Sequence, residues 1–193
     1  ISQTLLRIPL GVASDMLGKR KIFIVIGSLV TVASAFLMFL APSPVMLLIG
    51  RFLAGIAAAT WVNFTVMYAS YYEYDESPKA IGIINSVNRA GQFIAMLVGG
   101  IISFYFGMRH VFLLSAAIGA LAAILSLMIE EERCVEEGQL FRVSDMLSFI
   151  KKKEVIIISV LGALSQLITY GTTLGFTPVV AFNLGATYYQ LGI

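Results

Sequence analysis

The sequence predicts an all-α, polytopic membrane protein, and the composition and the placement of charge are the basis of that prediction. Apolar residues make up 59% of the 193 residues and charged residues only 12%, with a mean hydropathy of +0.91. A soluble domain carries about a quarter charged residues. The charges are also bunched, which leaves long apolar runs between them. These runs must be helices, because lipid cannot satisfy the polar groups of an unpaired backbone.

The apolar runs have the length of membrane spans, since a hydrocarbon core about 30 Å thick is crossed by about 20 helical residues. The sequence accommodates five complete spans, at residues 22–41, 45–71, 80–106, 111–129 and 155–182. Residues 1–12 are expected to be the end of an earlier helix and residues 190–193 the start of a later one. We therefore expect the chain to be a fragment of a larger protein.

Basic residues are concentrated in alternate loops. Nine Lys and Arg residues lie in the segments 13–21, 72–79 and 130–154. The intervening loops contain Arg109 alone, and they are the segments 42–44, 107–110 and 183–189. The positive-inside rule places the first set in the cytoplasm of a multi-pass protein of the cell membrane. The long segment is predicted to be a central loop with a short amphipathic surface helix, separating residues 1–129 from residues 155–193.

Several classes of protein are disfavoured by the sequence. The net charge of +2 gives no sign of a nucleic-acid partner. The chain has one cysteine, Cys134, and one histidine, His110, so neither a disulfide framework nor a His-rich metal site is expected. We find no nucleophile–base pair, no phosphate-binding glycine loop and no selectivity filter. An enzyme, a metal site, a cofactor and a channel are therefore not expected.

The charged stretch GVASDMLGKRK, residues 11–21, separates two apolar runs. Gly11 would let a neighbouring helix approach closely. Asp15 could cap a neighbouring helix or pair with a base. Gly18 permits a tight turn, and the basic residues 19–21 would anchor the turn at the cytoplasmic face. The alternative interpretation is an ordinary cytoplasmic turn.

This stretch resembles the conserved loop between helices 2 and 3 of the major facilitator superfamily, Gly-x-x-x-Asp-Arg-x-Gly-Arg-Lys/Arg. Met16 replaces the usual Arg. The residues that match the pattern, with Lys where Arg is commoner at position 19, are Gly11, Asp15, Gly18, Lys19, Arg20 and Lys21. The resemblance implies that they form a latch, which stabilises one of the two states of an alternating-access transporter. Loss of the Arg at position 16 implies a weaker latch.

Three further stretches agree with this resemblance in order, spacing and side of the membrane. GRFLAGIAAA, with Arg51 and Gly55, is similar to the Arg-x-x-x-Gly pattern of helix 4. FGMRHVF resembles the entry to helix 6, and LGATYYQLGI resembles the connection from helix 7 to helix 8. The resemblance implies a fold of two six-helix halves in a protein of twelve or fourteen helices. This chain would run from late helix 2 to early helix 8.

The span 80–106, which would be helix 5 of the superfamily, resembles a motif of the proton-coupled drug antiporters. In GIINSVNRAGQFIAMLVGG, four glycines fall on that motif: Gly82, Gly91, Gly99 and Gly100. Ala95 and Met96 replace its Gly-Pro pair, so the proline kink is lost. The pattern favours export. The alternatives are that these are ordinary packing glycines, or that the protein takes up or exchanges a sugar, organic anion or other metabolite.

Polar residues inside apolar spans are candidate functional groups, because a charge at the bilayer centre costs roughly 2.5–3.5 kcal/mol. Arg89 lies near the middle of its span and is a candidate for substrate binding or gating, with hydrogen bonding to a neighbouring helix as the alternative. The resemblance implies proton transfer at Arg51, for which a structural role is as reasonable. The expected lining residues of a midplane site are Asn63, Asn85, Asn88, Arg89, Gln92, Gln166 and Tyr170. The helix that contains the last two is expected to be broken by Gly171, Gly175 and Pro178.

The complete spans contain no Asp or Glu, although a proton-coupled carrier usually has such a residue in the membrane. It would then lie in helix 1, at the start of helix 2 or in the second half, or else the protein is not proton-driven. Our prediction is a secondary transporter that exports small amphipathic compounds, linked to protons. The expected partners are a small-molecule substrate, protons and the lipid bilayer, and the protein is expected to be a monomer. A non-transporting membrane sensor is a further alternative.

Overall fold

We describe the protein from a computed structural model, in which residues 2–131 and 153–186 are described. All secondary structure in these ranges is helical. The amphipathic helix predicted within the central loop and the helix start predicted at 190–193 lie outside the described residues. The chain divides into two compact units, residues 1–135 with 192–193 and residues 136–191. Each unit is described by itself.

The first unit is a bundle of helices. Its elements are α1 (Ser2–Leu17), α2 (Arg20–Leu40), α3 (Pro44–Ala59), α4 (Trp61–Ala69), a 3₁₀ turn (Tyr74–Glu76), α5 (Ser77–Phe106) and α6 (Met108–Leu127). Four stretches are long and apolar enough to cross a membrane: Arg20–Leu40, Pro44–Ala69, Tyr74–Phe106 and Met108–Leu127. These stretches confirm the first four complete spans predicted from the sequence.

The turn predicted at residues 13–21 is much shorter than expected. Helix α1 continues to Leu17 and α2 begins at Arg20, so only Gly18 and Lys19 lie between them. The apolar run alone suggested that α1 ended near residue 12. The helix continues because Ala13–Leu17 contains no glycine or proline, and Ser14, buried with 1% of its surface exposed, donates a hydrogen bond of 2.8 Å to the Gly11 carbonyl. Asp15 is consequently a residue of the last helical turn.

The span predicted at 45–71 is divided at Thr60. The Thr60 amide donates a 3.2 Å hydrogen bond to the Ala57 carbonyl, which tightens the end of α3 into a 3₁₀ turn. Thr60 is buried beneath α2, where a side chain at Gly27 would collide with the Thr60 hydroxyl. The start of α3 follows the sequence closely, since the Ser43 hydroxyl accepts from the Met46 amide at 3.5 Å and proline occupies the first turn.

The interior of the first unit contains mainly small side chains, and the large apolar side chains face outward. Helix α2 lies in the middle and contacts α3 and α6 most extensively. The buried residues include Ala35, Ala59, Ala80, Ala116 and Ala123, with serines and glycines between them. Large side chains such as Phe52, Phe93 and Leu121 are more than half exposed. This distribution is the one that helices in lipid require, because close backbone packing replaces the hydrophobic effect.

The described part of the second unit is one continuous helical stretch of changing pitch. It comprises α7 (Lys153–Ile168), a π-helical segment (Thr169–Phe176) and α8 (Thr177–Asn183). The predicted interruption around Gly171, Gly175 and Pro178 is therefore confirmed, and its form is a π segment. The Thr177 hydroxyl follows the wider pitch, because it donates at 2.7 Å to the Thr172 carbonyl five residues earlier. The Thr172 hydroxyl donates at 2.6 Å to the Ile168 carbonyl four residues earlier, the spacing of an ordinary α-helix.

Candidate functional site

Most of the residues predicted to form a latch lie at one end of the first unit, which we call the basic end and define by Lys19, Arg20 and Lys21. Gly18 has a backbone φ of +59°, in the left-handed region that glycine adopts without a steric penalty. Its amide donates a 3.3 Å hydrogen bond to the Asp15 carbonyl, which closes the last turn of α1. The predicted tight turn at Gly18 is confirmed.

Asp15 and Arg20 form an ion pair across this turn. The Nη2 atom of Arg20 lies 3.0 Å from the Oδ1 atom of Asp15. The Asp15 side chain is 64% exposed and the Arg20 side chain 25% exposed, so the pair contributes little to folding by itself. The pair joins the end of α1 to the start of α2. The expectation that Asp15 pairs with a base is confirmed.

A second acid at the basic end was not singled out from the sequence. Glu131, which follows α6, accepts hydrogen bonds at Oε1 from the backbone amides of Arg20 and Lys21, the latter at 3.2 Å. Lys19 precedes the helix and provides no side-chain cap. The basic first turn of α2 also lies at the positive end of the helix dipole, which is unfavourable, and a carboxylate at the amides offsets both effects.

The ends of α4 and α6 are also joined at the basic end. The Tyr71 hydroxyl donates a 2.6 Å hydrogen bond to the carbonyl oxygen of Glu130. Next to it lies a cavity of about 430 Å³ between α2, α4, α5 and α6. Its walls are almost entirely apolar, and the residues that line it are Ile24, Phe64, Met67, Tyr68, Tyr71, Ile84, Ile129 and Glu130. The predicted substrate residues are absent from this lining.

The polar residues of α5 form a hydrogen-bonded row. Nη1 of Arg89 donates to Oε1 of Gln92 at 3.2 Å, and Nε2 of Gln92 donates to Oδ1 of Asn88 at 2.8 Å. Asn85, Arg89 and Gln92 are exposed, whereas Asn88 is half-buried. The predicted alignment of these four residues is therefore found. The exposed face is available to a ligand or to another part of the protein.

The candidates on α3 and α4 lie in contrasting surroundings. Asn63 has 1% of its surface exposed, and its Nδ2 atom has no hydrogen-bond partner among the described residues. It therefore lies inside the first unit and not on an open surface. Arg51 is exposed on α3 and forms no ion pair within residues 2–131 or 153–186. Gly55 is half-buried one turn further along α3.

The candidate glycines differ in what surrounds them. A methyl group added to Gly82 or Gly91 would meet nothing within 4 Å among the described residues, so close packing is not found there. At Gly99 it would lie 3.7 Å from Val111 of α6, and at Gly11 it would lie 3.8 Å from Val62 of α4. Gly100 is buried, and α5 runs without interruption, as the loss of the proline predicts.

Glycines outside the recognised motifs mark closer helix contacts than these. A methyl group at Gly50 would lie 2.5 Å from Cγ of Met38, and one at Gly119 would lie 3.2 Å from Cγ2 of Val32. Both contacts involve α2, the central helix. In the sequence, Gly50 and Gly119 are recognisable only as glycines in strongly apolar runs. A glycine such as Gly82 also lies in an apolar run but has no close neighbour among the described residues, so the sequence does not distinguish the two kinds.

The remaining candidates belong to the second unit. Gln166 is exposed on α7, three residues before the π segment. Tyr170 lies within the π segment, and its side chain is outside the described side chains. The described residues contain no cluster of His, Cys, Asp and Glu that could hold a metal ion.

The family model that matches this chain is the Major Facilitator Superfamily, and the match extends over residues 1–193. The chain belongs to the major facilitator superfamily. The all-α, polytopic fold predicted from composition is thereby placed in a family of membrane transporters. Three features of this chain agree with the resemblance noted for residues 11–21. They are the order of helices, the two-residue turn at Gly18 and the Asp15–Arg20 pair.

Several curated relatives of this superfamily chain are similar over most of its length. The multidrug resistance protein Stp of Mycobacterium tuberculosis is 30% identical over 86% of the chain and 30% of Stp. The multi-drug resistance efflux pump PmrA homolog of Lactococcus lactis is 28% identical over 71% of the chain and 34% of that protein. An uncharacterized MFS-type transporter of Methanocaldococcus jannaschii, MJ1560, is 28% identical over all of the chain and 51% of its own length.

The chain therefore spans about a third of the length of Stp and of the PmrA homolog. No solved structure matches it significantly.

Proposed function

We propose that this chain is part of a secondary active transporter that exports small amphipathic compounds by alternating access, with protons as the coupling ion. The observation that carries the proposal is the family membership of the whole chain together with its similarity to proteins named for multidrug resistance and efflux. The glycine spacing of α5 is the support for the proton-coupled export branch.

The basic end is proposed to face the cytoplasm and to act as the latch. An exposed ion pair such as Asp15–Arg20 is weak, so it suits a contact that is broken and remade during transport. Stabilising one state by one such contact is enough to shift a two-state equilibrium by severalfold. The left-handed turn at Gly18 brings Asp15 and Arg20 close together.

Within the first unit, the substrate is proposed to contact the exposed polar face of α5. The α5 face offers amide groups and one guanidinium, and the apolar surroundings of a membrane site would suit an amphipathic molecule. Interrupted helices are recurrent features of transporter sites, and the stretch α3–α4 of this unit is interrupted.

A second function is uptake or exchange of a small organic anion, favoured by the exposed Arg89. Its guanidinium donates to Gln92 only, among the partners that the structure describes, so several of its N–H groups are free to bind a carboxylate. A membrane sensor of the same fold would bind its ligand without moving it.

The test follows the accumulation of a fluorescent amphipathic cation in cells that express the full-length protein. Export predicts lower accumulation than in control cells, with the difference abolished by a protonophore and reduced severalfold by Asp15→Asn. Asp75→Asn is the matched control, because Asp75 is also exposed at the basic end but forms no ion pair in the described ranges. Unchanged accumulation, with the protein present in the membrane, would contradict export of cations and direct attention to anion uptake.

A further inference from the structure

We propose that Glu131 is a positioning residue of the latch: it holds the first turn of α2 in the place where Arg20 reaches Asp15. The proposal rests on the proposed function of the basic end as a latch. It adds a residue that lies 111 positions away from Arg20 along the chain but contacts it at the basic end. The residue lies four positions after Leu127, the last residue of α6, and opens the long central loop.

The contact between Glu131 and α2 is made through the backbone. Its Oε1 atom accepts from the amides of Arg20 and Lys21, which are the first two residues of the helix. Both amides lack a partner in the preceding turn, as the first amides of any helix do. Glu131 therefore fixes the backbone of Arg20, while the side chain of Arg20 remains free to pair with Asp15.

Electrostatics makes this carboxylate necessary for the start of α2. The three basic residues 19–21 lie at the positive end of the helix dipole, where cations are unfavourable. Lys19 provides no side-chain cap, and the Asp15 carboxylate contacts the Arg20 side chain and not its amide. In the described part of the chain, Glu131 is the acid that meets the amides at this helix start.

The geometry links the latch to the end of α6. An exposed ion pair is easily lost when either side chain moves, so the Asp15–Arg20 pair depends on a fixed backbone at Arg20. Glu131 supplies that fixed point, and the adjacent Glu130 carbonyl is held by the Tyr71 hydroxyl at 2.6 Å. Movement of the central loop at its first residues is thereby transmitted to the residue that forms the latch.

The test compares four variants of the full-length protein: Glu131→Ala, Glu131→Gln, Glu130→Ala and Asp15→Asn. Glu130→Ala is the matched control, since it removes a neighbouring carboxylate that accepts no hydrogen bond from the described residues. Hydrogen–deuterium exchange is measured on the peptide that covers residues 18–24. Cellular export of the amphipathic cation is measured in parallel for each variant and for the double variant Asp15→Asn/Glu131→Ala.

We expect Glu131→Ala to speed exchange at Arg20 and Lys21 about five-fold, the factor that corresponds to about 1 kcal/mol for loss of a helix cap. Glu131→Gln should largely rescue the protection, because its amide oxygen still accepts from both amides. Export should fall in Glu131→Ala to the level of Asp15→Asn, and the double variant should fall no further. Glu130→Ala should resemble the wild type in both measurements.

Three results would overturn the proposal: equal exchange in Glu131→Ala and the wild type, equal harm from Glu130→Ala, or independent losses of export that multiply in the double variant. If the wild-type protein exports no cation, the proposed function fails by itself. The exchange measurement then decides the role of Glu131, because faster exchange in Glu131→Ala and not in Glu130→Ala still supports it.

Discussion

The Ser34 hydroxyl donates a 2.8 Å hydrogen bond to the Gly50 carbonyl oxygen, so that α2 and α3 are joined through the backbone of a glycine. Ser34 is buried, with 1% of its surface exposed. The absence of a side chain at Gly50 allows the approach, since Met38 of α2 occupies the space where a methyl group would lie. Small residues and interhelical hydrogen bonds thus perform here the function that large apolar side chains perform in a soluble core.

We predict that Gly50→Ala destabilises the full-length protein by about 1–3 kcal/mol, the usual range for an overpacked interior. The added methyl group would lie 2.5 Å from Cγ of Met38 and 3.3 Å from the Ser34 carbonyl oxygen. Thermal unfolding of the detergent-purified protein measures the effect. Gly82→Ala is the control, because a methyl group there meets nothing within 4 Å of it among the described residues.

A second substitution, at Met38, should relieve this collision and restore part of the stability. Met38→Ala removes the Cγ atom that the new methyl group would strike, so Gly50→Ala combined with Met38→Ala should recover part of the loss. Equal stability of Gly50→Ala and Gly82→Ala would show that α2 and α3 do not approach as closely as the structure indicates.

A second prediction concerns the turn between α1 and α2. Gly18→Ala should cost about 1–2 kcal/mol, because a side chain disfavours the left-handed backbone that Gly18 adopts with a φ of +59°. Gly18→Asn should cost less, since asparagine tolerates this conformation. The order of thermal stability should be glycine, asparagine, alanine. If alanine were as stable as glycine, the left-handed turn would be absent from the full-length protein.

Much of the basic end was predictable from the sequence, and its most distant contact was not. Gly18 as the turn and Asp15 as the partner of a base follow from residues close together in the chain. Glu131 lies 111 residues from Arg20, and its role depends on α2 and α6 being neighbours. The residues around Glu131 in the sequence do not show that α2 and α6 are neighbours. They indicate only that Glu131 is one charge of the central loop.

Interruptions of helices were predicted only where the sequence contains helix breakers. Gly171, Gly175 and Pro178 indicated the break after α7, although they could not indicate a π segment. Thr60 follows three alanines, which favour helix, so the break between α3 and α4 was missed. Its cause is tertiary, because Thr60 is packed against Gly27 of α2. The burial of Asn63 also depends on tertiary packing. The sequence shows only a polar residue in an apolar span, which predicts a residue that lines a cavity.

A third prediction distinguishes a buried Asn63 from a cavity-lining Asn63. Asn63→Asp should destabilise the protein by about 3 kcal/mol or more, because the carboxylate would be buried without a partner at a position 1% exposed. Asn85→Asp is the matched control on the exposed face of α5 and should cost far less. Thermal unfolding at neutral pH compares the two. Equal tolerance would mean that Asn63 reaches water, as the sequence-based interpretation of a lining residue requires.

The last prediction concerns Arg89 and separates a role in binding from a role in folding. Arg89→Ala should lower transport of an amphipathic anion at least ten-fold, since a charge-assisted hydrogen bond from the guanidinium to an anionic ligand contributes about 1.5–3 kcal/mol. It should not lower the amount of folded protein, because removing a charge from a membrane-spanning helix makes insertion less costly.

The matched control is Arg109→Ala, which removes an exposed arginine from the start of α6 and should leave transport unchanged. Arg89→Lys should restore little, because lysine lacks the planar donor pair that binds a carboxylate. Transport of an amphipathic anion and of an amphipathic cation is measured for each variant, with protein in the membrane quantified by size-exclusion fluorescence. Loss of anion transport alone would favour the anion function, and loss of both would place Arg89 on a path that both substrates share. If neither changed, the Arg89–Gln92 hydrogen bond would be purely structural.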